Sequence, residues 1–125
     1  MVNPMHAILP FLFRRNGTAV GNTALLQQYL RSLRGMDSRF GRAEEEMVHA
    51  TVKLMSVQTS LPASEAIRFV CGYIRDLLND DVPAPTAVAY VCSRIVIKYR
   101  LDQPRGLFDA PRDISLKKEE LHETF

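Results

Sequence analysis

Two stretches of the chain decide the fold: residues 61–74 read LPASEAIRFVCGYI, and residues 82–95 read VPAPTAVAYVCSRI. At a constant offset of 21 they share six identical positions in fourteen, and three further positions are conservative. Internal similarity at a fixed offset is typical of one structural unit that is used twice. The unit is predicted to be a helix, because each proline stands where a first turn tolerates it and apolar residues then recur at helical spacing. The identical pairs are Pro62/Pro83, Ala63/Ala84, Ala66/Ala87, Val70/Val91, Cys71/Cys92 and Ile74/Ile95.

Two more helices are predicted upstream of this repeat. The first covers residues 23–34, with Asn22 as its expected N-cap and Gly35 as its expected end. The second opens at residues 44–46, three glutamates that suit the positive end of a helix dipole, and runs to Val57. Its apolar side is predicted to continue through Met47, Ala50, Leu54 and Val57, and to be widened by Val48, Thr51 and Met55.

The sequence therefore predicts an all-α fold, a compact bundle of about four main helices. Its internal helix repeat spans 61–78 and 82–99, and a short C-terminal helix follows. Residues 1–21 are predicted to form an apolar arm, residues 22–103 the helical bundle domain, and residues 104–125 a linker and polar tail. The length of 125 residues, with 46% hydrophobic and 24% charged residues, fits one domain with a sizeable core.

The apolar run near the N-terminus is not predicted to be a targeting signal or a membrane span. No Lys or Arg precedes it, Pro10 interrupts it, and no small-residue cleavage site follows. It is also shorter than the roughly 20 residues that a spanning helix needs. With only two cysteines and no CxxC pair, the chain is expected to be cytoplasmic and its thiols reduced.

Residues in catalytic or metal-binding patterns are sparse. Glu46 and His49 form a Glu-x-x-His pair of the kind found in di-iron bundles, but the chain has no second pair. Cys71 and Cys92 lie on apolar faces and are expected to be packing residues. The chain has no phosphate-binding glycine loop and no nucleophile elbow. We therefore expect a binding protein and no enzyme, without cofactor, metal site or catalytic residues.

Charge is segregated along the chain although the net charge is only +2. Residues 1–43 carry six basic residues against one acidic residue, and residues 82–108 carry four against one. Residues 44–81, with seven acidic residues against three basic ones, are acidic. Such blocks either match each other within or between subunits, or form a basic surface for nucleic acid. Residues expected to contact nucleic acid in the second case are Arg94, Lys98 and Arg100, supported by Arg31, Arg34, Arg39 and Arg42.

The favoured hypothesis is a small regulatory DNA-binding protein of bacterial or phage type that acts as a dimer. Residues 73–100 fit a helix, a tight turn and a second helix, and a helical hairpin without a DNA role fits the same pattern. The alternative hypothesis is a helical protein-interaction module, such as an adaptor, an antirepressor or a chaperone. In either case the apolar residues expected at a dimer or partner interface are Phe11, Phe13, Phe69, Tyr90, Val96 and Ile97.

One short stretch resembles a known family. Arg39-Phe40-Gly41, followed by Glu45-Glu46-Met47, is similar to a segment in the small subunit of the enterobacterial flagellar master regulator. Members of that family are helical, dimeric transcription activators. The resemblance covers residues 39–47, and the rest of the chain does not follow it, so no residue role is carried over. It implies a regulator, in agreement with the favoured hypothesis.

Overall fold

The computed structural model describes residues 21–103, 111–114 and 116, and within them the chain forms four helices. Helix α1 occupies residues 21–36, α2 Arg42–Gln58, α3 Ala63–Asn79 and α4 Ala84–Lys98. The described residues contain no β-strand, only one isolated bridge between Thr59 and Arg112. The predicted all-α bundle is confirmed. Residues 1–20 and 117–125, and with them the predicted arm and C-terminal helix, lie outside the described residues.

Helix α1 is longer than predicted at both ends. Asn22 lies inside the helix and is not its N-cap, and Gly35 is also helical, so neither prediction is correct. The end of α1 is set by the next turn, in which the Asp37 N–H donates to the Leu33 carbonyl at 3.1 Å. The Phe40 N–H then donates to the Asp37 carbonyl at 3.0 Å, and the Phe40 ring is buried in the core. Leu33 and Phe40, on either side of this turn, are both buried.

The internal repeat predicted from the sequence is a structural repeat. Pro62 and Pro83 precede α3 and α4 with almost the same backbone conformation, φ −60° and ψ 142° against φ −58° and ψ 142°. Both helices also begin with an equivalent hydrogen bond, in which the N–H four residues after the proline donates to the proline carbonyl. Equivalent apolar positions are buried in both helices, namely Ala66/Ala87, Ile67/Val88, Val70/Val91, Cys71/Cys92 and Ile74/Ile95.

Both repeats also end in the same way, although no sequence identity marks these ends. Asp81 (φ 64°) and Arg100 (φ 55°) take the left-handed conformation just after α3 and α4. The next N–H in each case reaches back into the helix, from Val82 to the Leu77 carbonyl and from Leu101 to the Val96 carbonyl. Because α3 has 17 residues and α4 has 15, the offset of 21 at the helix starts becomes 19 at their ends.

Helix α2 carries two apolar stripes, and only one of them faces the core. The buried residues of α2 are Val48, Thr51, Val52 and Met55. The side predicted from Met47, Ala50, Leu54 and Val57 lies at the surface, with Met47 38% and Val57 51% exposed. Ala50 is exposed and Leu54 is half-buried. The stripe that the sequence predicts as the main apolar side therefore lies at the surface, and only Leu54 in it packs partly against the core.

The segment that follows the bundle returns to it. The Arg112 N–H donates to the Gln58 carbonyl at 2.9 Å, and the Ser60 N–H donates to the Arg112 carbonyl at 2.8 Å. The Arg112 guanidinium donates to the carbonyls of Tyr99, at 2.9 Å, and of Arg100. Residues 111–114, predicted as part of a linker and tail, thus join the C-terminal ends of α2 and α4.

One carboxylate joins the opposite end of the bundle. Asp37 Oδ1 accepts hydrogen bonds from the backbone N–H and the Nε of Arg39, both at 3.0 Å. Its Oδ2 accepts from the N–H of Ala84 at 2.9 Å, at the start of α4, where Pro83 has no polar side chain to cap the helix. The Arg39 side-chain hydrogen bond, followed by the two backbone N–H bonds, lowers the pKa of Asp37 to about 2. Helices α2 and α4 therefore start side by side and run in the same direction.

The left-handed residue after α3 gives a first prediction. A side chain at Asp81 carries a steric cost of roughly 1 kcal/mol in this conformation, which glycine does not carry. We expect Asp81→Gly to raise the free energy of unfolding by up to about 1 kcal/mol, measured by urea denaturation. The control is Asp80→Gly, because Asp80 has φ −91° and gains nothing from glycine. Equal effects of the two substitutions would contradict the explanation.

The Asp37 bonds give a second prediction, for acid stability. A pKa depressed in the folded state stabilises the fold above the unfolded value of 3.8, and this stability is lost as the pH falls toward about 2. We expect Asp37→Asn to lower the urea midpoint at neutral pH and to approach the wild-type midpoint as the pH falls through this window. Asp80→Asn makes the same charge change at an exposed site and serves as the control. A difference between wild type and Asp37→Asn that stays constant with pH would rule out the charged cap.

Candidate interaction surfaces

Four of the seven predicted nucleic-acid residues lie at two separate ends of the bundle. Arg39 and Arg42 flank the α1–α2 turn, which the Asp37–Ala84 bond places beside the start of α4. Lys98 and Arg100 lie at the other end of α4. With a rise of 1.5 Å per residue, the 15 residues of α4 separate the two groups by roughly 20 Å. The structure does not bring the seven residues into one patch.

Three of the predicted arginines form ion pairs. Arg34 links α1 to α2 through Glu45, whereas the pairs of Arg39 and Arg42 are local in sequence. A phosphate at any of these arginines would compete with a carboxylate that is already bound. The pairs and their N–O distances are Arg34–Glu45 at 3.2 Å, Arg39–Asp37 at 3.0 Å and Arg42–Glu46 at 3.2 Å.

Arg94 lies at the end of a row of aromatic side chains on α3 and α4. Its guanidinium carbon is 4.2 Å from the centroid of the Tyr90 ring, within the range of a cation–π contact. Tyr90 contacts Tyr73 edge-on at 6.2 Å, and Tyr73 contacts Phe69 edge-on at 6.3 Å. Burial, with a hydrogen bond to Tyr90 as a smaller cause, raises the pKa of Tyr73 to about 12. Phe69 and Tyr90, both predicted at a partner interface, are half-buried in this row.

The other two described interface residues, Val96 and Ile97, border an apolar groove between α2 and α4. The groove has a volume of about 310 Å³, and its α2 side is formed by Met47, Ala50 and Leu54. Ile97 is 53% exposed, so the groove opens to solvent. We call Met47, Ala50, Leu54, Val96 and Ile97 the α2–α4 surface. The α2 half was visible in the sequence as an apolar stripe, but it was assigned to the interior.

The floor of this groove carries a thiol that is poorly suited to chemistry. Cys92 is buried, and its sulfur lies 3.8 Å from the Met47 carbonyl oxygen. Burial raises the pKa of Cys92, and burial together with the nearby Cys92 raises that of Cys71 to about 12. Both cysteines are free thiols inside the core. Since the thiolate is the reactive form, neither residue is prepared to act as a nucleophile or metal ligand.

A second groove, of about 470 Å³, lies where α1 begins, against α2 and α3. Leu26, Val52 and Ile67 form its apolar floor, and His49 and Lys53 stand at its rim. Within the part of the chain that the structure describes, no three His, Cys, Asp or Glu side chains are grouped closely enough to hold a metal ion. The predicted partner residues Phe11 and Phe13 lie outside the described residues.

None of the helices in the described part of the chain has the length and hydrophobicity that crossing a lipid bilayer requires. The described surfaces combine apolar grooves, paired arginines and buried thiols. Comparison with models of protein families, with curated proteins and with solved structures finds no match to this chain.

Proposed function

We propose that this chain is a helical protein-interaction module that binds an apolar surface of a partner protein through its α2–α4 surface. The observation that carries the proposal is the second apolar stripe of α2, which stays at the surface after the core is complete. On α4, Val96 and Ile97 extend this stripe across the groove. Contiguous exposed apolar residues on a small protein usually mark an interaction site.

The spacing of the exposed stripe fits a helical partner surface. Successive members are separated by four, three, four and three residues, an average of 3.5. This is the spacing of the seam along which two helices pack by inserting side chains between one another. The members of the stripe are Ala43, Met47, Ala50, Leu54 and Val57.

The apolar side chains of the α2–α4 surface and of Val57 can contribute more binding free energy than the exposed charged residues. Complete burial of a Met, Val or Ile side chain contributes about 1.5–3 kcal/mol, so covering the exposed parts of Met47, Val57 and Ile97 contributes on the order of 1 kcal/mol each. An exposed ion pair contributes between roughly 0 and 1 kcal/mol. The apolar residues are therefore the larger source of binding free energy.

The proposal is tested with a displayed library of amphipathic helices selected on the immobilised full chain. We expect the selected helices to carry an apolar heptad pattern and to bind Ile97→Asp at least tenfold more weakly than wild type, about 1.4 kcal/mol. Met36→Asp is the matched control, because Met36 is a 39% exposed methionine on α1, outside the α2–α4 surface. Thermal unfolding establishes that both variants fold. Helices that bind Ile97→Asp as tightly as wild type would contradict the proposal.

Regulatory DNA binding is a second candidate function, supported by a specific observation. Arg31, Lys98 and Arg100 are exposed, and none has a carboxylate within 4.0 Å among the described residues. Cations without a paired carboxylate are available to phosphates without first breaking an ion pair.

The DNA candidate is tested by binding to random-sequence duplex at about 50 mM and about 200 mM salt. Three phosphate contacts predict a loss of affinity of roughly 40-fold between these concentrations. We expect Arg31→Ala/Lys98→Ala to weaken binding and to flatten the salt dependence, and Arg42→Ala, which removes an ion-paired arginine, to have little effect. Absence of binding at micromolar protein in low salt would exclude phosphate contact as the basis of function.

A further inference from the structure

We propose that the partner which covers the α2–α4 surface is a second copy of this chain, with the two α2 helices antiparallel about Ala50. The inference rests on the proposed function, because it names the occupant of the same surface. It is carried by the arrangement of apolar and charged residues along the exposed side of α2. That arrangement is nearly unchanged when the direction of the helix is reversed.

The apolar residues are self-complementary in this arrangement. In an antiparallel pair centred on Ala50, a residue seven positions before the centre faces one seven positions after it, so Ala43 meets Val57. Met47 lies three positions before the centre and Leu54 four positions after it. In the antiparallel pair, Met47 of one copy is therefore within one residue of the height of Leu54 of the other. A small residue thus opposes a larger one at the ends, and Ala50 at the centre lets the two helices approach closely.

The charges follow the same symmetry. Glu46 lies four residues before Ala50 and Lys53 three residues after it, both exposed on the outer side of α2. Antiparallel pairing places Glu46 of each copy beside Lys53 of the other, forming two equivalent ion pairs. Parallel pairing in register would instead place like charges together. The charge arrangement therefore selects the antiparallel orientation and a second copy as the partner.

Both charged groups are available for this contact. Among the described residues Lys53 has no carboxylate within 4.0 Å. Glu46 pairs only with Arg42 in the part of the chain that the structure describes, and both side chains of this pair remain exposed. A carboxylate has acceptor sites for a second cation. Ile97, on the far side of the groove, widens the apolar contact around the α2 pair.

The test is sedimentation equilibrium of the full chain from about 1 to about 100 µM, the range in which a dissociation constant near 10 µM is resolved. We expect a dimer of twice the 14.2 kDa chain mass. Met47→Asp should weaken dimerisation at least a hundredfold, and Met36→Asp should leave it unchanged. Circular dichroism establishes that each variant is helical.

A charge exchange tests the orientation with substitutions at exposed positions only. Glu46→Lys and Lys53→Glu should each weaken the dimer about tenfold, because each turns two attractive contacts into two repulsive ones. The double variant Glu46→Lys/Lys53→Glu should return to within threefold of wild type. Rescue of this kind requires that the two positions face each other, so a purely structural role of either residue would not produce it.

The outcomes distinguish this inference from the proposed function. A chain that remains monomeric throughout, a dimer that Met47→Asp leaves intact, or a charge exchange without rescue would each overturn the self-pairing. A monomer that still selects heptad-patterned helices, and loses them with Ile97→Asp, would keep the proposed function and replace the second copy by a different helical protein.

Discussion

Burial of α4 is the constraint on which the rest of the described structure depends. Six of its fifteen residues are buried, and its only charged residues are Arg94 and Lys98. A helix that is apolar on several sides must be covered by more than one neighbour. Helices α2 and α3 both contact α4 and each other, so α2 turns its Val52 and Met55 side inward. The second stripe of α2 then lies on the other side of the helix, where Met47 and Val57 are exposed.

The sequence predicts the helices, whose signals are local, but it does not predict the hydrogen bonds between residues far apart in the chain. The repeated helix followed from paired prolines and apolar spacing, and both features act within a few residues. The end of α1 instead depends on Asp37, whose Oδ2 accepts a hydrogen bond from a residue 47 positions away. No local pattern could reveal that bond, or the return of Arg112 to the ends of α2 and α4. Gly35 stays inside α1 although Arg34 and Met36 beside it are exposed, because the turn that ends the helix forms only at Asp37.

Only the α4 part of the α2–α4 surface could be predicted from the sequence. Val96 and Ile97 were expected at an interface because the helix already had a complete apolar face without them. On α2, two apolar stripes overlap, and periodicity alone does not tell which one is inside. The segregation of charge could be seen in the sequence. The ion pair between Arg34 and Glu45 could not be predicted from it, because this pair joins two helices and depends on how they pack. Matching between charge blocks, one of the two interpretations, accounts for two of the seven predicted basic residues, Arg34 and Arg42, whereas Arg39 pairs with Asp37 of its own block.

Self-pairing through α2 would also decide the geometry of the second candidate function. Asp37 joins the starts of α2 and α4, and Arg112 joins their ends, so the two helices run in the same direction. An antiparallel α2 pair therefore places Lys98 and Arg100 of the two copies at opposite ends of the dimer. The 17 residues of α2 separate these ends by about 25 Å, against roughly 34 Å between successive major grooves on one face of a duplex. Because the spacing of the two basic ends would be shorter than the groove spacing, self-pairing through α2 would not by itself bring both ends into successive major grooves.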